Sequence, residues 1–493
     1  MHALVIGGGF GAIASALRLR AKGYRVTLIE RGCELGGRAQ RFERGGFRHD
    51  SGPTVITAPF LFEELFELFG EKLSDSVVLV PLSPWYRFVY ADGEHFDYGG
   101  TLEETLAEIK RIAPDDCDGY LKLLKHSKNI FDTAFTELAT QPFDSFLVML
   151  RQIPRLLKLK SYLTVWELVG QYLKNERLAQ AFSIQPLLLG GNPFQTTSIY
   201  SLIHYLEREY GVHFVMGGTH ALVLALKKLM IRRDIRIRLG ETVKSISTVN
   251  GAAVGAVLLS GEEIPFDLVV SDADPLHLYS SMVKQQDQSR LCRIKRARAQ
   301  LSMGLFVLYF GTLKTYPNVA HHTIWMGKRY RELLDEIFNQ KVLSEDFSLY
   351  VHRPTATDPS FAPPGCDSFY VLCPVPNLSG AQDWSVEGPK LRNRIVAALD
   401  RTILPGLASA ITEDFYKSPQ DFESEYLSKH GAGFSLAPTF TQSAWFRFHN
   451  RAEGLKNLYL VGAGTHPGAG LPGVLSSAKL VDSLLPNIER QFI

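Results

Sequence analysis

A glycine-rich turn directly after the first apolar run carries the residues best suited to bind a phosphate group. The run 3–6 has the composition of a buried strand, and the turn precedes a predicted helix over about 12–22. Gly7 permits a tight turn, Gly9 lets the backbone approach a pyrophosphate, and Ala12 still allows close packing of strand and helix where glycine is commoner. The helix points its N-terminal amides and the positive end of its dipole at the phosphates. The predicted dinucleotide-binding turn consists of Gly7, Gly9, Gly11 and Ala12.

A carboxylate and two further glycine turns follow this segment at distances that suit a nucleotide cofactor. The predicted strand 25–29 leads into Glu30, about 20 residues after the glycines, where a carboxylate accepts hydrogen bonds from an adenosine ribose. Glycine turns then recur at 36–38 and at 50–54, as a long cofactor with two nucleotide halves would need. The alternatives are a surface carboxylate for Glu30 and a solvated loop arginine for Arg38. The predicted cofactor-binding residues of this stretch are Glu30, Gly36, Gly37, Arg38, Gly52, Pro53 and Thr54.

The C-terminal part repeats the arrangement of strand, glycine turn and helix. The apolar run 457–461 precedes the glycine-rich segment 462–473, and a helix is predicted over about 474–485. The amides at the start of this helix would face a negatively charged or polarised group, such as the ring of a reduced flavin. Two such turns predict one extended FAD molecule held by both ends of the chain, since NAD alone would not need the second turn. A glycine-rich structural corner is the alternative. The predicted residues here are Gly462, Gly464, Gly473 and Val474.

Size and composition indicate an ordinary globular protein of two or three domains. The 493 residues are 45% hydrophobic and 21% charged, which excludes a disordered chain. The net charge is only +2, so nucleic acid is not expected as a partner. The five cysteines show no CxxC spacing, so we expect no metal site and a reducing, cytosolic setting. No apolar stretch approaches the roughly 20 residues that span a bilayer, which leaves a position on a membrane surface open.

Changes of pattern along the chain predict an α/β fold with a discontinuous cofactor domain. The beginning reads as β-α-β, and strands return after a long helical stretch. The second glycine turn then lies near the C-terminus. We therefore expect a Rossmann-type FAD-binding domain from residues 1–70, 215–275 and 450–493, a mixed α+β substrate-binding domain from residues 76–100 and 276–449, and a helical insertion over residues 101–214.

The segment 143–173 within this insertion combines large apolar residues at helical spacing with several basic residues. Pro154 is expected to break or kink it. A helix with a broad apolar stripe beside basic groups can lie in a bilayer interface, where anionic headgroups attract the cations. A core-packed helix pair with a solvated basic face is the alternative. The basic residues are Arg151, Arg155, Lys158 and Lys160.

Several blocks of the sequence resemble one family, the bacterial-type carotenoid desaturases, also called phytoene desaturases. The most specific likeness is the string 457–477, which looks like the signature of that family. The resemblance covers essentially the whole chain and is closest to the proteobacterial enzymes that take phytoene to lycopene. The other similar blocks are 46–57, 182–198, 204–212, 217–219, 346–352, 374–376 and 441–447.

The resemblance implies an FAD-dependent oxidoreductase that desaturates phytoene to neurosporene or lycopene in carotenoid biosynthesis. It further implies that nicotinamide is not required and that electrons leave for oxygen or a membrane quinone. Because phytoene dissolves only in lipid, it implies a peripheral membrane protein on the cytoplasmic side and favours a membrane-facing helical insertion. Val243 matches the strand whose backbone meets the adenine end of FAD. The chain departs from the family at Ala12, which should be tolerated, and at Phe448, which replaces a proline and puts the shape of its loop in doubt.

The reaction implied by the resemblance requires few catalytic side chains. A saturated C–C bond beside a polyene loses a hydride to the flavin and a proton from the adjacent carbon, while neighbouring double bonds delocalise the positive charge. A dry tunnel, correct orientation and at most one proton acceptor suffice. The catalytic residue therefore stays open. Polar residues that could lie near the ring, each with a structural role as the alternative, are Glu207, Arg151, His321, His322 and His466.

Two other activities are compatible with the same motifs. One is the desaturation of a different polyene, such as a C30 precursor or a hydroxylated carotenoid. The other is a non-redox role on the same fold, either as a flavin-dependent carotene isomerase or as a polyene carrier.

Overall fold

The computed structural model describes residues 1–488, and in it the first strand of the chain lies at the centre of a five-stranded parallel sheet. Alternate residues of this strand face two different cores, since Ala3 and Val5 pack on one side and Leu4 and Ile6 on the other. Burial on both faces explains why the strand is a continuous apolar run. The strand order is Leu458–Leu460, Leu268–Ser271, His2–Ile6, Arg25–Glu30 and Arg236–Leu239.

Helices cover one face of the parallel sheet. The helix Phe10–Ala21 packs against the closing helix Leu471–Leu484, which brings the two ends of the chain together. Alanines at positions 12, 14 and 16 keep the buried side of the first helix slim, so its neighbours can approach closely. The helices whose side chains share this core are Phe10–Ala21, Phe60–Glu67, Cys117–Phe131, Leu202–Tyr210, Thr219–Arg232 and Leu471–Leu484.

A seven-stranded mixed sheet forms the second large layer. The strand Gly304–Thr312, second from one edge of this sheet, is buried along its whole length, with Leu305 and Val307 on one face and Phe306 and Leu308 on the other. The helix Trp384–Arg401 covers the second of these faces. The strand order is Ile411–Lys417, Gly304–Thr312, Asp367–Val375, Leu349–His352, His322–Trp325, Tyr86–Val89 and His95–Tyr98. All neighbours are antiparallel except the pair His322–Trp325 and Tyr86–Val89.

Smaller elements connect and flank these two layers. A three-stranded antiparallel sheet consists of Val243–Val249, Ala252–Leu258 and Glu263–Pro265. Two-stranded pairs are formed by Arg41–Arg44 with Phe47–Asp50, and by Leu79–Pro81 with His213–Val215. The segment between the first strands of the seven-stranded sheet and residue 210 is mainly helical, with Leu102–Ile112, Cys117–Phe131, Phe146–Lys158, Val165–Gly170, Glu176–Ser183 and Leu202–Tyr210. The remaining α-helices are Pro275–His277, Arg290–Ala297, Tyr330–Asp335, Leu407–Ala410 and Pro419–Tyr426.

The helix Phe146–Lys158 differs from the expectation of a break at Pro154, because it continues through the proline. Proline removes one backbone donor, and here the residue is exposed, so water can satisfy the carbonyl left without that donor. None of the helices within residues 1–488 combines the length and the apolar character needed to cross a membrane.

Candidate active site

A cavity of about 620 Å³ extends from the N-terminal glycine turn to the helix Phe146–Lys158. It crosses the carboxyl ends of the parallel strands, where Ile6, Glu30 and Val461 line it. It then follows one face of the seven-stranded sheet, where Tyr350 is part of its wall. Ligands of open α/β sheets bind outside the carboxyl ends of the strands, so the position of the cavity fits a cofactor site.

The end of the cavity at the N-terminal glycine turn is here called the near end, and the end at the helix Phe146–Lys158 is called the far end. The two glycine turns lie against each other at the near end. A Cβ atom at Gly11 would lie 3.3 Å from the backbone nitrogen of Gly462, and one at Gly37 would lie 3.3 Å from the Cα atom of Gly9. Gly7 has a φ of +106°, a conformation that side chains rarely adopt. The backbone can therefore approach neighbouring segments, and a ligand, more closely than any larger residue would permit.

Most residues predicted to bind the cofactor line the cavity, and three lie directly behind its wall. The amide of Ala12 donates to Asp272 Oδ2 at 3.1 Å, and the amide of Gly462 donates to Ser477 Oγ at 2.9 Å. Together with Gly11, these residues shape the turns without facing the cavity. The predicted residues in the wall are Gly7, Gly9, Glu30, Gly36, Gly37, Arg38, Gly52, Pro53, Thr54, Val243, Gly464, Gly473 and Val474.

Glu30 ends its strand at the edge of the cavity. Its Oε1 accepts a hydrogen bond from the Gly32 amide at 2.6 Å, and a Cβ atom at Gly8 would lie 2.9 Å from Oε2. Burial raises the pKa of Glu30, while hydrogen bonds from the amides of Gly32 and Gly8 act in the opposite direction. The carboxylate is therefore held in one orientation by backbone, as a ribose-binding group would need to be.

Arg38 is not a solvated loop arginine. It is partly buried in the cavity wall and donates to the carbonyl oxygen of Gly433 and to the hydroxyl of Ser428, each at 2.5 Å. Desolvation lowers the pKa of its guanidinium, and the carboxylates of Asp274 and Asp272 partly offset this effect. Arg38 therefore fastens one glycine turn to the segment 428–433 and brings a positive charge to the cavity wall.

Asp272 lines the near end of the cavity, and the sequence analysis missed it. It follows the strand Leu268–Ser271, and a Cβ atom at Gly9 would lie 2.6 Å from its Oδ2. Desolvation raises the pKa of Asp272 to about 7, with a further contribution from Glu30 and an opposing hydrogen bond from Ala12. A carboxylate directly after a buried parallel strand was the signal, because such strands end at the same sheet edge as the glycine turn.

The far end of the cavity is lined mainly by apolar side chains. Met149 and Leu156 are seven positions apart on the helix Phe146–Lys158, so they share one face, and both line the cavity. Phe143 and Phe440 line the same end. Such a wall excludes water and suits a long apolar molecule.

Glu207 lies buried in the wall between the two ends. The Tyr86 hydroxyl donates to its Oε1 at 2.9 Å, and its Oε2 has no hydrogen-bond partner among residues 1–488. Burial raises the pKa of Glu207 to about 8, against the lowering effects of Tyr86 and Arg208. The carboxyl group therefore carries its proton for most of the time at neutral pH.

The other residues considered for catalysis have different surroundings. Arg151 is exposed on its helix and does not line the cavity. His466 lines the cavity, and burial lowers its pKa to about 4, so the ring that contacts the Leu138 carbonyl oxygen at 3.2 Å is neutral. His321 and His322 are buried behind the cavity wall.

The loop around Phe448, where the family pattern has a proline, is firmly anchored. The Phe448 ring stacks on Tyr279 with 5.7 Å between the ring centroids. The buried guanidinium of Arg447 donates to the carbonyl oxygens of Ala463 at 2.6 Å and Thr465 at 3.0 Å. The loop therefore supports the C-terminal glycine turn directly.

Comparison with known proteins agrees with this geometry. The family model described as flavin containing amine oxidoreductase matches residues 13–481. A phytoene desaturase (lycopene-forming) from Pantoea ananas is 46% identical over 482 residues, which cover 98% of each chain. A phytoene desaturase (neurosporene-forming) from Rhodobacter capsulatus is 41% identical over 492 residues, covering 99% of this chain and 94% of that protein. The solved structure of an oxidoreductase from Methanosarcina mazei shares the fold, with a TM-score of 0.68, 18% identity, and coverage of 98% of this chain and 100% of that one.

These findings define an FAD-dependent oxidoreductase with the mixed α/β FAD-binding fold of the amine oxidases. The chain belongs to the flavin-containing amine oxidoreductase family and, within it, to the phytoene desaturases.

Proposed function

We propose that the protein desaturates phytoene to neurosporene or lycopene in carotenoid biosynthesis, with FAD at the near end of the cavity. The main support is that one cavity joins a wall of glycine backbone to a wall of apolar side chains. A flavin and a long polyene could therefore meet in one space. The names of the similar desaturases point to the same substrate.

The near end fits FAD because its glycine turns pack backbone against backbone and leave much of the wall without side chains. A Cβ atom at Gly52 would lie 1.9 Å from the carbonyl oxygen of Arg38, so the wall tolerates only glycine there. The N-terminus of the helix Phe10–Ala21 would face the phosphates, and Glu30 would bind the ribose. The backbone at Val243 would meet the adenine. When bound, FAD supplies the acceptor for hydrogen removed from a C–C bond.

We assign the remaining tasks to the wall of the cavity. The apolar far end desolvates and aligns the polyene, so that the reacting bond is presented in one orientation. Loss of a proton from the adjacent carbon needs an acceptor, for which we propose Glu207. Tyr86 holds one of its oxygens, and the other has no partner. With a pKa of about 8, only about a tenth of Glu207 is ionised at pH 7, and this ionised fraction, which grows as the pH rises toward 8, is the form that accepts the proton.

The helix Phe146–Lys158 supports a position on a membrane surface. Four of its exposed apolar residues, Phe146, Leu150, Ile153 and Leu157, are spaced by four, three and four positions, which places them in one stripe along the helix. Leu147, beside this stripe, is 66% exposed. The face next to the stripe carries Met149 and Leu156, which line the cavity, so a lipid-dissolved polyene could enter there.

Basic residues on the remaining side of the helix support an anionic lipid surface as the partner. Arg151 and Lys158 are exposed, seven positions apart, and therefore lie on one side. Arg155 lies between them but forms an ion pair with Glu137 at 2.7 Å, so less of its positive charge is available to an anionic headgroup. Cationic side chains beside an apolar stripe strengthen binding to anionic membranes.

Liposome flotation tests this membrane surface. We expect the double variant L147E/L157E to lose most binding to anionic vesicles, because two charges would enter the apolar layer. The control variant L259E/L313E changes two leucines of similar exposure, 68% and 67%, at other sites, and should float like the parent protein. Equal flotation of both variants would contradict the proposal, and a changed oligomeric state of L147E/L157E alone would point to a second copy of the chain on this face.

We further propose that a membrane quinone or oxygen takes the electrons and that the protein lies on the cytoplasmic side. Cys33 is an exposed free thiol, which a reducing compartment would preserve. Reoxidation of the reduced protein can be followed with a quinone in vesicles under anaerobic conditions and with oxygen in its place. A reduced flavin that neither reagent reoxidises would contradict this choice of acceptors.

Expression in cells that accumulate phytoene tests the substrate. We expect the cells to contain neurosporene or lycopene, recognised from the pigment spectrum. Folded, flavin-loaded protein in cells that stay without pigment would overturn the proposal. Cells that accumulate a C30 precursor serve as the comparison, and pigment in those cells alone would assign the protein to a different polyene.

A further inference from the structure

Three buried histidines behind the cavity wall have no part in the proposed reaction. His322 and His352 face each other across antiparallel strands, and His321 precedes His322. The ring centroids lie 4.5 to 5.2 Å apart, and even His321 is only 6% exposed. This group, His321, His322 and His352, is here named the histidine triad.

The histidine triad contains more ring nitrogens than the protein satisfies. Within residues 1–488, four of them lack a hydrogen-bond partner: Nε2 of His321, Nε2 of His322, and both nitrogens of His352. One His352 nitrogen approaches the His321 carbonyl oxygen, but without hydrogen-bond geometry. Buried polar atoms are nearly always paired, so this cluster points to a bound ligand.

The remaining nitrogens orient two of the rings. His321 Nδ1 lies 2.7 Å from Thr357 Oγ1, and His322 Nδ1 lies 2.7 Å from the Tyr350 hydroxyl. Histidines that bind metals use their second nitrogen in this way, which fixes the ring and leaves the first nitrogen free. Each ring of the triad therefore offers at least one free nitrogen.

The distances and charges in the triad also suit a metal ion. One nitrogen from each ring lies within 4.8 Å of the other two. Nitrogens bound to zinc in a tetrahedral site are about 3.3 Å apart, so side-chain rotations would close the site. The nearby guanidinium of Arg353 is paired with Asp367 at 3.2 Å, which reduces its repulsion of a cation.

We propose that the histidine triad binds one divalent transition-metal ion, such as Zn²⁺, through three imidazole nitrogens, with water in the fourth position. Imidazole suits zinc, copper, nickel and iron, whereas calcium and magnesium prefer oxygen. Through His322 the ion would hold the hydroxyl of Tyr350, which also lies 2.5 Å from Thr54 Oγ1 in the cavity wall. The ion therefore has a positioning role in this proposal. The sequence analysis expected no metal site from the spacing of the cysteines, and it missed this cluster since His352 is far from the other two histidines along the chain.

Cobalt titration of chelator-treated, flavin-loaded protein tests the site directly. Tetrahedral Co²⁺ has a visible absorption band, measured here as the difference from the flavin spectrum. We expect one equivalent to bind and to be displaced by Zn²⁺, and metal analysis of untreated protein to give one ion per chain. Absence of a saturable band would overturn the proposal and assign the space to ordered water.

Matched variants locate the bound ion. We expect H352Q to lower cobalt affinity at least 100-fold. The control is H204Q, because His204 is also fully buried with two unpartnered nitrogens but lies outside the triad, and this variant should bind cobalt like the parent protein. Binding that survives in H352Q, or that is lost equally in both variants, would place the ion elsewhere. A flavin-loaded H352Q preparation shows that the variant has folded.

Discussion

At its near end the cavity is bounded largely by backbone, whereas at its far end it is bounded by side chains. Glycines leave much of the near wall without side chains, and the loops there are held by hydrogen bonds such as those of Arg38. Met149 and Leu156 close the far end from a single helix that has little cover on its other side. A backbone wall has one shape that substitutions destroy, while a side-chain wall can be reshaped. We therefore expect changes at the near end to abolish cofactor binding and changes at the far end to alter substrate use alone.

The largest effect is expected for G52A at the near end. The new methyl group would lie 1.9 Å from the Arg38 carbonyl oxygen, so the turn must move. We expect FAD affinity to fall at least about 100-fold, or about 2.7 kcal/mol. Flavin content after purification and fluorescence titration measure this loss. The control is G170A, whose new methyl group would meet nothing within 4 Å, and equal flavin content in both variants would contradict the backbone wall.

A second effect concerns Glu207, between the two ends. Its carboxyl group has an ordinary pKa of 4.5 in the unfolded chain and a pKa of about 8 when buried. Unfolding between these pH values releases a proton, so the free energy of unfolding contributed by this group decreases as pH rises from 4.5 to 8. We expect E207Q to lack this decrease, which amounts to roughly 2 kcal/mol between pH 5.5 and 7.5.

Denaturant unfolding of the flavin-loaded protein at both pH values measures the difference. The control is E209Q, which changes an exposed carboxylate on the same helix and should keep the pH dependence of the parent protein. If the free energy of unfolding changes equally between the two pH values in E207Q and in the parent protein, burial of Glu207 does not raise its pKa as described.

A smaller effect is expected for L156W at the far end. The larger ring would fill the cavity beside Met149 and obstruct a long polyene. We expect kcat/KM for phytoene to fall about tenfold, or about 1.4 kcal/mol, with normal flavin content. L157W places the same ring on the exposed side of the helix and should retain kcat/KM in detergent micelles. Loss of flavin from L156W would mean that the two ends are not separable.

The smallest effect is expected from Asp272. Its pKa of about 7 means that the carboxylate gains a negative charge, near the proposed pyrophosphate position, as pH rises from 6 to 8. Repulsion of about 1 kcal/mol would weaken FAD binding roughly fivefold over this range. D272N should remove this pH dependence, and D274N, which changes another carboxylate in the wall, should keep it. Identical pH profiles for D272N and the parent protein would exclude Asp272 as the cause.

The difference between the two ends also explains what the sequence could predict. The glycine turns were recognisable because the backbone conformation at Gly7 is one that other residues rarely adopt. Such a requirement concerns only a few consecutive residues, so it is visible in the sequence. Asp272 was recognisable only as a carboxylate directly after an apolar strand, because the pairing of that strand with His2–Ile6 is not visible in the sequence. The histidine triad depends on which strands become neighbours, and no spacing along the chain reveals that. The apolar residues of the helix Phe146–Lys158 were visible in the sequence through their helical spacing. The contact of this helix with the cavity depends on tertiary packing, which the sequence does not show. The domain boundaries and the roles of the individual site residues stay predictions.

Anaerobic mixing of flavin-loaded protein with phytoene in liposomes tests most directly whether cofactor and polyene meet in one cavity. We expect the absorption of oxidised flavin to bleach while a more conjugated, coloured polyene forms, with one new double bond for each flavin reduced. Flavin that stays oxidised while the geometry of the polyene changes would identify an isomerase, and oxidised flavin with unchanged phytoene would contradict the proposed reaction.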